Sequence, residues 1–81
     1  MNVRVRLFAR ARDLAGTAAV VIDVPAEATV GELRRRLAEA RPALSGILAR
    51  SAMAINDEFA DDDRIVPSGA EIALLPPVSG G

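Results

Sequence analysis

Hydrophobic and polar residues alternate at the start of the chain, in the stretch NVRVRLF. Three apolar side chains fall on one face of an extended segment, with polar ones between them: Val3, Val5 and Leu7. This period of two predicts a half-buried strand over residues 2–8. The run AAVVIDV predicts a second strand over residues 18–24, and ARARDLAG between them predicts a short helical turn ended by Gly16. The two strands are expected to pair.

In the stretch TVGELRRRLAEAR, apolar residues recur every three or four positions instead of every second one, and this spacing predicts a helix. Thr29 is expected to cap its first turn, and Glu32 to return a bond in a reciprocal capping box. Apolar residues at helical spacing form one stripe that is expected to face the sheet. The stripe consists of Val30, Leu33, Leu37 and Ala40. Pro42 is expected to end the helix, and ALSGILAR to form another short helical turn.

The second half of the chain predicts a further group of strands. SAMAIN reads as a third strand, and the acidic stretch NDEFADDD as a turn before RIV, with a short strand at Phe59. After the turn PSG, EIALLP predicts the last strand. Alternation there directs Ile72 and Leu74 inward and leaves Leu75 on the outer face.

The predicted elements follow the order strand, strand, helix, strand, short strand, strand. A helix that crosses between strands of a small mixed sheet is the layout of a β-grasp domain. We therefore predict an α+β fold over residues 1–76, with about five strands packed on one main helix. Residues 77–81 are predicted to form an extended C-terminal tail.

Composition restricts the chemistry that this chain can perform. Its 81 residues are enough for one domain, and they include no cysteine and no histidine. Thiol nucleophiles, imidazole bases, disulfides and the usual zinc sites are therefore excluded. The net charge of −1 and the lack of a signal or membrane-spanning pattern predict a cytoplasmic, soluble protein that binds neither nucleic acid nor membrane.

Two charged runs are interpreted as solvated surface. Arginines occupy positions 34–36, where they are expected to form helical pairs with acids on an exposed face. The expected pairs are Glu32 with Arg36 and Arg35 with Glu39. The aspartates at 61–63 lack the spacing and turn glycine of a calcium loop, so no metal site is predicted.

The last strand leads into PPVSGG at the end of the chain. Pro76 and Pro77 lack N–H donors, and Gly80 and Gly81 lose much entropy when they are ordered, so the tail is expected to project. Five extended residues reach roughly 17 Å. A carboxylate on a terminal glycine has no side chain around it and fits a narrow channel, although a frayed chain end is compatible with the same residues.

Two stretches, LFARARDLAG and DEFADDDRIVPSGAEIALLPPVSGG, resemble those of a known family, and PPVSGG is the most specific part. They are similar to the sulfur carriers of the ubiquitin-like superfamily that form the small subunit of molybdopterin synthase. The resemblance spans the whole chain. It implies that the Gly81 carboxylate is adenylated with ATP and magnesium, then converted to a thiocarboxylate. That sulfur would be donated to the dithiolene of molybdopterin in the large subunit's active site.

The resemblance also implies the partners and the site. The partners would be the large subunit, in a heterotetramer of two small and two large subunits, and an E1-like enzyme that adenylates and sulfurates the tail. No cofactor would stay bound, and the chain would act as a sulfurtransferase only within the synthase. Gly80 and Gly81 would be the catalytic end, and the tail would also contact the partner through Pro76, Pro77, Val78 and Ser79.

An apolar patch is predicted beside the tail if the first and last strands are neighbours, as they are in β-grasp domains. Phe8 and Leu75 would then lie close together on the outer face and form a docking surface for the partners. Other functions fit the same residues. They are sulfur carriage for thiamine thiazole or tRNA thiolation, ubiquitin-like modification of target amines, and plain binding by a β-grasp module that does not need its tail.

Overall fold

The computed structural model describes residues 1–77, in which the predicted elements are found with boundaries shifted by one or two residues. The strands are β1 (Asn2–Leu7), β2 (Ala19–Asp23), β3 (Ala52–Ile55), β4 (Glu58–Ala60) and β5 (Ile72–Leu75). The helices are α1 (Ala9–Ala15), α2 (Val30–Ala40) and α3 (Ser45–Leu48), with a 3-10 turn at Pro42–Leu44.

The strands form one mixed sheet in the order β2-β1-β5-β3-β4. β1 pairs antiparallel with β2 and parallel with β5, whereas β3 pairs antiparallel with both β5 and β4. With α2 packed on one face, this arrangement confirms the predicted β-grasp fold. Because β1 and β5 are parallel, the chain leaves both strands at the same end of the sheet.

The inward faces of the strands and the stripe of α2 enclose one core. Val30, Leu33 and Leu37 are fully buried, and burial of each leucine contributes about 1.5–3 kcal/mol relative to exposure. Ala40, the fourth predicted member of the stripe, is exposed, so that part of the prediction is wrong. Ala40 is the last residue of α2 and lines a groove beside Val21 at the edge of the sheet, instead of lying over the core.

The start of α2 is capped by one of the two hydrogen bonds that the predicted capping box would contain. The Thr29 hydroxyl oxygen accepts from the Glu32 N–H at 3.2 Å, as predicted. The Glu32 carboxylate, however, accepts from the guanidinium groups of Arg35 and Arg36. The reciprocal capping box is therefore wrong, because two cations within one turn attract the carboxylate more strongly than a neutral N–H does.

The acidic stretch after β3 contains a tight turn and the short strand β4. Asn56 and Asp57 both have positive φ, 48° and 70°, as a two-residue type I′ hairpin requires. β4 follows at once, with Glu58 paired to Ile55. In the RIV segment, Ile65 makes an isolated bridge to Thr29, which holds this loop against the start of α2.

Arg34 corrects the interpretation of the arginine run as a solvated face. Its side chain is 18% exposed and donates to the backbone carbonyls of Leu48 and Ser51. The same guanidinium binds the Asp62 carboxylate at 3.0 Å. Arg34 thus joins α2 to the end of α3 and to the acidic loop. The predicted pair of Glu32 with Arg36 is confirmed at 3.2 Å, whereas the predicted pair of Arg35 with Glu39 is wrong, because Arg35 binds Glu32 instead.

Candidate docking face and tail exit

The tail begins where β5 ends, at Leu75. Pro76 is half-buried and Pro77 is exposed, and neither has an N–H that could extend the strand. The other predicted tail residues, Val78, Ser79, Gly80 and Gly81, lie outside the described residues. The structure therefore locates the base of the tail at the end of β5.

One row of side chains crosses the outer face of the sheet, the face turned away from α2. The paired registers place five residues side by side: Ala19, Arg6, Ala73, Ala54 and Phe59. Most of this row is apolar, with small side chains in the centre. An apolar sheet face without a covering helix is typical of an interaction surface.

Phe8 and Leu75 lie on this face, next to the tail exit. β1 and β5 are neighbours, and their pairing ends with Leu7 and Leu74, so Phe8 and Leu75 are the next residues along the two chains. Leu75 is half-buried and outward, and it pairs with Ala52 of β3. The expected proximity of the first and last strands is therefore confirmed.

A left-handed turn at Ala9, the first residue of α1, directly follows Phe8. The φ of Ala9 is 49°, a conformation that costs a residue with a Cβ roughly 1–2 kcal/mol. The fully buried Ala11 anchors α1 in the core and opposes this cost. The turn ends β1 at Leu7 and leaves Phe8 in extended conformation at the rim of the sheet.

Phe59 is a surface residue that the sequence analysis did not assign to the site. Its side chain is 75% exposed, more than that of any other large apolar residue in the described part of the chain. The register of β4 places it opposite Ala54 on the outer face. The outward position of Phe59 could have been predicted from the Asn56-Asp57 turn, because a two-residue hairpin determines on which face of the sheet each β4 side chain lies.

These outward residues form what we call the apolar patch: Phe8, Phe59, Ala73 and Leu75. Arg4 and Arg6 lie on its β1 side, and Arg10 and Arg12 follow in α1. The guanidinium carbon of Arg6 lies 5.2 Å from the centroid of the Phe8 ring, a cation–π distance.

The described residues offer surfaces for binding and no assembled catalytic group. Within residues 1–77, no three acidic residues come close enough to hold a metal ion. No helix in the same range is long and apolar enough to cross a membrane. The sequence contains no histidine or cysteine, so it offers neither an imidazole base nor a thiol nucleophile.

Comparison with known proteins identifies the family. Residues 5–81 match the model of the ThiS family, which is nearly the whole chain and includes the tail. The chain belongs to the ThiS family. The match to this family confirms the resemblance that the terminal motif predicted.

Relatives of this ThiS-family chain carry two kinds of name. The molybdopterin synthase sulfur carrier subunit of Dictyostelium discoideum is 38% identical, with 96% of this chain and 94% of the relative covered. SAMP1 from Haloferax volcanii is 36% identical, with full coverage of both chains and a TM-score of 0.85. A structure of the complex of subunits 1 and 2 of molybdopterin-converting factor from Helicobacter pylori contains a chain that is 30% identical, with full coverage and a TM-score of 0.70.

Proposed function

We propose that this ThiS-family chain is the sulfur carrier subunit of a molybdopterin synthase. The observation that carries the proposal is its similarity to proteins named as that subunit, over 96% of this chain for the D. discoideum relative, together with the family match that extends to Gly81. The position of the tail base supports it, because Leu75 and Pro76 lead out of the sheet beside an apolar patch. A carrier needs this combination, since a partner must hold the domain while the tail enters its active site.

In the proposed cycle, the Gly81 carboxylate attacks the α-phosphate of ATP on an activating enzyme and releases pyrophosphate. A persulfide sulfur then displaces AMP, and a thiol reduces the resulting acyl disulfide to a thiocarboxylate. This sulfur attacks an electrophilic carbon of the pterin precursor and forms a thioester as a carbon–oxygen bond at that carbon breaks and the oxygen substituent leaves. Hydrolysis of the thioester then leaves the sulfur on the pterin and restores the carboxylate. A dithiolene contains two sulfurs, so each product consumes two charged carriers.

Mass spectrometry of the protein purified from its own cells tests this proposal. The expected spectrum contains a species heavier by the difference between one sulfur and one oxygen, and fragmentation places that difference on Gly81. The matched control is the same protein with residues appended after Gly81, which should show no such species. A terminus that carries only oxygen in cells making molybdopterin would contradict the proposal.

A second candidate function is ubiquitin-like modification of other proteins. The full-length similarity to SAMP1, at a TM-score of 0.85, favours it, since the related H. volcanii structure is described as a small archaeal modifier protein. In that case the activated Gly81 would acylate lysine amines of target proteins. Slower-migrating adducts that contain an isopeptide bond to Gly81 would support modification, whereas a thiocarboxylate without adducts supports carriage alone.

Leu75→Glu is predicted to weaken binding to both the large subunit and the activating enzyme. Both partners must capture the same tail, and the substitution sets a charge in the apolar patch at the tail base. We expect at least about a tenfold higher Kd for each partner, because burial of an unpaired charge costs more than the 1.4 kcal/mol that a factor of ten requires. Calorimetric titration measures both.

Ile65→Glu is the matched control for that experiment. Ile65 is also an exposed apolar residue, at 53%, but it lies in the loop against the start of α2 and not on the outer face. The Kd of this variant for each partner should equal that of the parent chain. If the folded Leu75→Glu variant bound both partners as tightly as Ile65→Glu does, the apolar patch would not be their docking surface.

A further inference from the structure

Arg6 places a positive charge among the apolar residues of the outer face of the sheet. It lies between Ala19 of β2 and Ala73 of β5, and its guanidinium lies over the ring of Phe8. Within residues 1–77, the ion pairs involve other groups, and no carboxylate comes within 4.0 Å of Arg6. Solvent and the Phe8 ring therefore stabilise this charge in the free domain.

A partner that covers the apolar patch removes much of that solvent. The apolar neighbours of Arg6 offer no acceptors, and a buried charge without a partner costs several kcal/mol. The guanidinium cannot lose its proton to escape this cost. The covering surface must therefore bring its own acceptor, or it will bind poorly.

We propose that Arg6 is a specificity-determining residue for docking to the large subunit, and that the large subunit presents an Asp or Glu carboxylate to it. The inference rests on the proposed docking role of the apolar patch. A carboxylate matches the planar fork of a guanidinium through two parallel hydrogen bonds. Stacking on Phe8 holds the fork in place, so little freedom remains to be lost when the carboxylate binds.

Arg4 adds a second positive charge to the outer face. It lies two residues before Arg6 on β1, so both side chains point away from the core. Phe59 is the β4 residue in register with the outward Ala54, whereas Glu58 is paired with the inward Ile55. The outward charges next to Arg6 on β1 are therefore positive, and an acidic partner surface over them meets opposite charge, which favours affinity and fast association.

Calorimetric titration of the purified large subunit with Arg6→Met tests the inference. Methionine keeps an apolar stem and removes the charge, so we expect about a 30-fold or greater increase in Kd, as when one member of a buried charge pair is lost. The Kd of the variant should also depend less on KCl concentration. Arg6→Lys keeps the charge but lacks the planar fork, so its Kd should lie between the two.

Arg41→Met is the control, because Arg41 is an exposed arginine at the C-cap of α2, away from the outer face. Its Kd should match the parent's. Unchanged or tighter binding by Arg6→Met, while Leu75→Glu still weakens binding, would overturn the role of Arg6 and leave the docking patch intact. If neither variant changes binding, or the parent does not bind the large subunit, the docking proposal fails together with this inference.

Discussion

Deletion of Gly81 is expected to abolish sulfur transfer while the domain stays folded. The deletion withdraws the terminal carboxylate by up to about 3.6 Å, and a misplacement of 1 Å in a positioned reaction can cost on the order of a hundredfold. Appending residues after Gly81 should be equally severe for another reason. The acid then becomes a peptide bond, which cannot be adenylated.

Product formation with the purified large subunit, the pterin precursor and a complete sulfuration system measures this effect. A binding assay and a thermal melt of the same variants are the controls. Binding should largely persist, because the apolar patch and Pro76 are unchanged, and the melting temperature should match the parent's. Near-parent rates from either variant would refute the thiocarboxylate mechanism and favour a plain binding module.

Arg34→Ala is expected to be the most destabilising of the arginine substitutions in α2. It leaves the carbonyls of Leu48 and Ser51 without their charged donor and releases Asp62 from the helix. Each lost bond to a charged group costs about 1.5–3 kcal/mol, and partial access of water reduces the sum, so we expect a total loss of about 2–3 kcal/mol. For a domain of this size, that lowers the melting temperature by about 10–20 °C.

Arg35→Ala is the matched control, since Arg35 is the next residue of the same helix and its side chain is 72% exposed. Its loss should change stability by no more than about 0.5 kcal/mol. Arg34→Lys should recover only part of the loss, because a single ammonium cannot reach three acceptors in the geometry of the guanidinium fork. Equal melting temperatures for Arg34→Ala and Arg35→Ala would show that the contacts of Arg34 are energetically neutral.

Local patterns in the sequence were sufficient to predict the elements and much of their orientation. Alternation in NVRVRLF and EIALLP assigned the inward and outward faces of β1 and β5, including the outward Leu75. Thr29 and Gly16 marked the start of one helix and the end of another. These predictions succeeded because alternation, capping and turn conformation depend on residues only a few positions apart.

The terminal motif, with the length of the chain, also predicted the family, because few sequences combine a β-grasp order with PPVSGG at the end. The proximity of Phe8 and Leu75, by contrast, could be predicted only on the condition that the first and last strands are neighbours. It depends on the parallel pairing of the first and last strands, which are far apart in the chain. Strand pairing between distant segments depends on the packing of the whole sheet against α2, and the local conformational preferences of the residues do not determine it.

Three features of the surface were decided by tertiary structure alone. Phe59 joined the outer face through the register of a hairpin, and Ala40 was left exposed where α2 reaches the sheet edge. Arg34 was predicted to be solvated but is half-buried and joins separate parts of the fold, because its acceptors are 14, 17 and 28 positions away. A helical pattern shows which side of α2 a residue occupies, but the loops that come to lie on that side are set by the folded chain.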